Sequence, residues 1–193
     1  VWASEPLRLG KSENAAHERI TEPEGEVDSA SYASPILLKL GNRRLIVSCS
    51  LRHAFGADAD TGELLWSRPF LTQHRVIAST PVRVGGDTVF VTGPDAGGGR
   101  LFRLHEQGKT VNVETVWRTD LDTCQGGVVH VEGALFGAKY RQSKTWLGLD
   151  AKTGVPRQEL KGLAKGPVLH ADQRLYCLSE EGEAALLNPA SAG

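Results

Sequence analysis

Six histidines, three cysteines and two glycine-lysine pairs are the residues of this chain best equipped for chemistry. The histidines, at 17, 53, 74, 105, 130 and 170, show no HExxH or other short spacing that would set two imidazoles on one metal. His130 and His170 lie 40 residues apart at corresponding late positions of two apolar segments, which makes them weak candidates for ligand or metal contact and otherwise ordinary strand residues. Ser, His and Asp are all present, but no Gly-x-Ser-x-Gly elbow exists to make one serine a nucleophile. Gly10-Lys11-Ser12 and Gly108-Lys109-Thr110 imitate phosphate loops, yet Glu5 and Arg103 stand where the Walker pattern needs glycine. Gly97-Gly98-Gly99 links two predicted strands rather than a strand and a helix, so it reads as a flexible hairpin and not as an anion cradle. Cys49, Cys124 and Cys177 are far apart and form no CxxC pair, which disfavours a zinc site or a disulfide framework. Cys49 and Cys177 sit in apolar runs and read as buried small hydrophobes, leaving Cys124, beside a glycine pair, as the one candidate for exposed reactivity. No catalytic, cofactor-binding or metal residue is assigned on this basis.

The elements that would position such residues are repeated ones. Asp58-Ala59-Asp60-Thr61-Gly62 recurs as Asp150-Ala151-Lys152-Thr153-Gly154, and Trp66 closes the first copy. Small-residue starts at Ser34-Pro35, Thr80-Pro81, Gly126-Gly127 and Gly166-Pro167 are spaced 46, 46 and 40 residues apart, a period that belongs to propeller blades. Within each unit short apolar segments alternate with turn residues such as Gly41-Asn42 and Gly85-Gly86-Asp87, which is hairpin chemistry. The reading is an all-β chain forming a β-propeller of four-stranded antiparallel blades, about three and a half to four in number, with the ring incomplete. One domain over 1–193 holds blades at roughly 30–70, 78–120, 124–162 and 164–193. Residues 1–9, with Val1-Trp2, read as the tail of a preceding blade, and 10–29 as a solvated acidic loop. In each turn the Asp accepts from following backbone N–H groups, Thr does so more weakly, and Gly supplies a positive φ.

Several functional classes are disfavoured by composition. With 22 Lys and Arg against 23 Asp and Glu, the net charge of −1 gives no electrostatic case for nucleic acid. No apolar run approaches the roughly 18 residues of a membrane span, and the first residues show neither the basic nor the apolar region of a signal peptide.

The segment Asp-Ala-x-Thr-Gly-x-x-x-Trp at 58–66, preceded by a Ser-Pro-apolar strand, resembles the tryptophan-docking repeat of the pyrroloquinoline quinone (PQQ)-like β-propellers, a superfamily holding BamB-like scaffold proteins and quinoprotein alcohol dehydrogenases. The resemblance covers about residues 30–193. It implies that Asp58, Thr61, Gly62, Trp66, Trp117, Asp150, Thr153 and Gly154 dock blade to blade, with the fourth-strand Trp lying over a neighbouring Thr-Gly peptide. It also implies a non-catalytic scaffold that binds a protein or ligand through blade loops, a protein partner or self-association completing the ring, and an exported or periplasmic setting. No cofactor is expected. The alternative is a fragment of a PQQ-dependent dehydrogenase, for which PQQ and calcium would be needed; the vicinal Cys-Cys pair of that group is missing here.

Overall fold

Period-two alternation of apolar residues generates fifteen strands and no helix among the described residues, which in this computed structural model are Ala3 and 27–189, apart from positions 96 and 143. Sheet one contains β1 (Ile36–Leu40), β2 (Arg43–Cys49), β3 (His53–Asp58) and β4 (Leu64–Pro69), paired antiparallel in chain order. Sheet two contains β5 (Val82–Arg83), β6 (Thr88–Gly93), β7 (Gly98–Gln107) and β8 (Thr110–Thr119), and sheet three contains β9 (Val128–Val131), β10 (Ala134–Ala138), β11 (Thr145–Asp150) and β12 (Pro156–Lys161). Sheet four has three strands, β13 (Val168–Ala171), β14 (Arg174–Leu178) and β15 (Ala184–Leu187). The first strands β5, β9 and β13 lie side by side, so the sheets are arranged as blades of an all-β propeller whose ring does not close.

The core is divided among the seams between blades. Between sheets one and two lie Leu38, Leu45, Val47, Trp66, Val89, Val91 and Phe102; between two and three, Phe90, Leu101, Leu135 and Leu149; between three and four, Phe136, Trp146, Leu175 and Cys177. Strand β6 sends Val89 and Val91 one way and Phe90 the other, and all six of its residues are buried because both faces are covered. Strand β14, the same strand of the last sheet, alternates instead between exposed and buried. One of its faces is therefore bare.

The third strands of sheets one to three carry a register shift at the same place, at Gly56/Ala57, Leu101/Phe102 and Gly148/Leu149. One extra residue on the fourth strand, a β-bulge, brings Trp66, Trp117 and Gln158 into equivalent positions opposite Gly56, Leu101 and Gly148. Gly56 is required there: a Cβ would lie 2.1 Å from Trp66 Nε1.

Gly97 lies in the tight turn of the β6–β7 hairpin, donating to Pro94 O at 3.1 Å, while Gly98 and Gly99 already begin β7, where a Cβ on Gly99 would meet the Phe90 ring at 2.4 Å. Two sequence expectations are corrected. Cys124 is not exposed; it is buried, like Cys49 and Cys177, and all three are free thiols. Asp28, assigned to a solvated acidic loop, is fully buried at its carboxylate, since Ala30 bridges to Ser50 and draws the segment against sheet one. The rest of that loop up to residue 26, and the blade tail containing Trp2, lie outside the described residues.

Candidate functional site

The two Asp-x-x-Thr-Gly turns are built locally. Asp58 Oδ1 accepts from the N–H groups of Asp60 and Thr61, each at 2.9 Å, and Asp150 Oδ1 accepts from those of Lys152 and Thr153, each at 2.8 Å. Gly62 and Gly154 close the turns with φ of +79° and +74°, left-handed values that suit glycine. The amide of Thr153 foremost, with its hydroxyl, the Lys152 amide and Arg157, lowers the Asp150 carboxyl to about 2 against the opposing effect of desolvation. Asp58 is lowered chiefly by the amides of Thr61 and Asp60.

Docking onto these turns differs from seam to seam. Trp117, from β8, lies on the β11–β12 turn: its Nε1–H donates to Ala151 O at 3.2 Å, and a Cβ on Gly154 would come within 2.7 Å of its ring. Gln158 repeats the relation one seam further on, where its Nε2–H donates to Pro189 O at 3.4 Å in the Asn188-Pro189 copy of the turn. Trp66 meets no such turn. In sheet two β7 and β8 run on into a ten-residue-a-side hairpin, so Trp66 tilts against Phe102 with ring centres 6.3 Å apart and its buried Nε1–H has no acceptor among the described residues. The hairpin is held instead by Arg43, which donates to the carbonyls of Gly108 and Lys109 at 2.7 and 3.1 Å and lies 3.6 Å from Glu106.

At the loop ends of the sheets, two buried carboxylates fix the backbone. Asp28 accepts from Ser29 N–H at 2.9 Å, from Arg52 N–H at 3.2 Å and from the Ser50 hydroxyl, contacts His53 Nδ1 at 2.8 Å, and lies 3.6 Å from Arg52 Nε. Burial pushes its carboxyl up, but the hydrogen bonds from His53 and Ser50 and the charge of His53 outweigh that and hold it below the ordinary value. Asp122 does the same work in sheet three, accepting from the N–H groups of Tyr140 at 2.8 Å and Arg141 at 3.3 Å. Neither residue stood out in the sequence. The one signal was position, since each precedes the small-residue start of a blade by a few residues.

Beside Asp122 a cleft of about 200 Å³ opens between the loops of sheets three and four, lined by Cys124, Tyr140, Lys165, Gly166 and Glu180. Its loops cross in backbone contact, where a Cβ on Gly166 would lie 1.9 Å from Leu178 O. Lys165 Nζ pairs with Glu180 at 2.8 Å and sits 5.1 Å over the Tyr140 ring. Burial, with the charges of Asp95 and Asp122, raises the Cys124 thiol, so its nucleophilic form is disfavoured. The chemistry this cleft can perform is recognition by an aromatic face and a fixed ion pair. His130 is half-buried on β9, where burial lowers its imidazole, and His170 is exposed on β13. Among the described residues no three His, Cys, Asp or Glu side chains gather into a metal site.

Fold and seams together define a β-propeller. No family model and no curated protein matches the chain. Among solved structures it is similar to BamB from Moraxella catarrhalis, with a TM-score of 0.56 and 17% identity over 81% of this chain and 48% of that one, so this chain spans about half the BamB length. It is also similar to the computationally designed Ika4 protein, with a TM-score of 0.57 and 14% identity over 83% of this chain and 91% of that one. At these identities the likeness carries the fold alone.

Proposed function

We propose that the chain is a non-catalytic scaffold of the PQQ-like repeat type, which binds a protein partner through its blade loops and seats a further blade-like sheet on its last one. The observation that carries this reading is the bare face of sheet four. Leu169, Tyr176, Leu178 and Leu186 are 63, 43, 51 and 58% exposed there, around a groove of about 380 Å³. The equivalent face of sheet three, with Phe136 at 5% and Ala138 at 3%, is covered by sheet four. A contiguous apolar face of this kind marks an interaction surface. Its repeat equivalence specifies the shape of the occupant: another twisted sheet with inward-facing aliphatic residues. The loops support the scaffold part of the reading, because Asp122 holds the backbone of Tyr140 at the Tyr140–Lys165 cleft and Asp28 pins a loop of sheet one in the same way.

Sedimentation velocity across a concentration series tests the proposal. The wild-type chain is expected to self-associate, and Leu178→Asp, which sets a charge in the centre of the bare face, is expected to run as a monomer. A wild-type chain that stays monomeric and soluble at every concentration overturns the seating of a further sheet. Addition of PQQ with Ca²⁺ is expected to leave the melting temperature unchanged, and a saturable rise would move the reading to a quinoprotein fragment.

A further inference from the structure

We propose that the cleft between the outer strands of sheets one and two, lined by Arg68, Arg100 and Arg118, binds a small free oxyanion of the phosphate or sulfate type. The argument begins with register. Arg100 on β7 and Arg118 on β8 are direct cross-strand partners, an arrangement in which like charges repel. Arg68, on β4 of the facing sheet, closes the third side of a cavity of about 220 Å³ whose other walls include Phe102, Val113 and Thr115. Among the described residues no carboxylate lines it, and none lies within ion-pair distance of these three guanidinium groups.

Structural roles account for part of this arginine set. Arg68 donates to Val113 O at 2.9 Å across the seam, and Arg100 donates to Pro69 O at 2.8 Å and stacks 4.6 Å over Phe70. A guanidinium has five N–H donors, however; Arg100, only 6% exposed, gives one to Pro69 O, and none of its nitrogens is both buried and unpaired, so the remaining donors are open to the cleft. Burial, and then the charge of Arg118, lowers Arg100 to about 10, the direction expected for a cation held without a counter-charge. The Arg118 side chain makes no hydrogen bond or ion pair with the described residues and is the exposed member at the mouth. A buried cation lacking an anion is costly, and a tetrahedral oxyanion supplies several acceptors to planar donors arriving from three directions. The threonine hydroxyl at the wall adds a neutral donor, and the cavity admits a free ion rather than a large ligand. The site is independent of the bare face of sheet four, so either reading can fail alone.

Thermal melting in inorganic phosphate or sodium sulfate, against sodium chloride at matched ionic strength, tests the site. The wild type is expected to show a saturable rise of about 5 °C with the oxyanions that chloride does not reproduce. Arg118→Glu supplies an internal carboxylate opposite Arg100, and it is expected to melt higher than the wild type without oxyanion and to lose the response. Arg118→Gln is expected to lose most of the response without that gain. A wild-type rise equal to that in chloride, or an Arg118→Gln variant that keeps the wild-type response, overturns the proposal.

Discussion

At the scale of single residues, the two docked tryptophans make opposite predictions. Trp117 places its N–H on Ala151 O, whereas the N–H of Trp66 is buried without an acceptor. A net hydrogen bond contributes about 1 kcal/mol, while a buried unsatisfied donor costs about as much or more. Trp117→Phe is therefore expected to destabilise the fold by more than Trp66→Phe, by about 2 kcal/mol, in urea denaturation midpoints read with equal slopes. Asp150 makes a separate prediction. Its folded-state carboxyl lies at about 2 against an ordinary 3.8, so its contribution to stability is fully present above 3.8 and is lost as pH falls through about 2. Melting curves of wild type and Asp150→Asn should be separated most above pH 3.8 and converge toward pH 2. Residue by residue, sequence expressed what is local and little of what is tertiary. Cys124 sits beside glycines that signal exposure, but Gly126 lets the Gly166 loop cross in backbone contact beside it. Asp28 follows a run of acidic residues that suggests solvation, yet one bridge to Ser50 is enough to bring it among Arg52 and His53.

At the scale of elements, the order of short strands was legible because both apolar alternation and turn chemistry are written in contiguous residues. What escaped was the bulge, since an extra residue at Leu65, Val116 or Arg157 is visible only when two strands are paired. The bulge matters because it aims the docking side chain at the next sheet. The loop pins belong to this scale as well. Removing one partner of a buried charge set leaves the others uncompensated, so Asp28→Ala is expected to cost about 3 kcal/mol. Asp122→Ala forfeits two backbone hydrogen bonds and is expected to cost about 2 kcal/mol. Both are measurable by chemical denaturation. Hydrogen exchange should rise at the amides of Arg52 and of Tyr140 and Arg141 respectively, while strand amides stay protected. A uniform rise over all strands would show that these carboxylates stabilise the whole fold and do not fix particular loops.

At the scale of the whole molecule, stability resides in three seams, and each seam is closed differently: by an aromatic pair and an arginine clamp, by an indole over a glycine turn, and by a glutamine on a proline carbonyl. The propeller class was readable from period and strand pattern together, because 46-residue and 40-residue intervals each holding four short strands admit few other architectures. The seams were less readable, since the residue that docks and the turn that receives it lie more than thirty positions apart. Gly154→Ala probes one seam alone: it adds a side chain at positive φ and within 2.7 Å of the Trp117 ring, so loss of stability with retained strand content by circular dichroism is expected. The long hairpin of sheet two has a further consequence for the order of the units. Arg43 grips carbonyls of this hairpin, so a unit carrying the short turn in its place would forfeit that clamp on sheet one. The units therefore carry addresses: each seam is fitted to one neighbour, and shuffling them would cost contacts that the present running order makes.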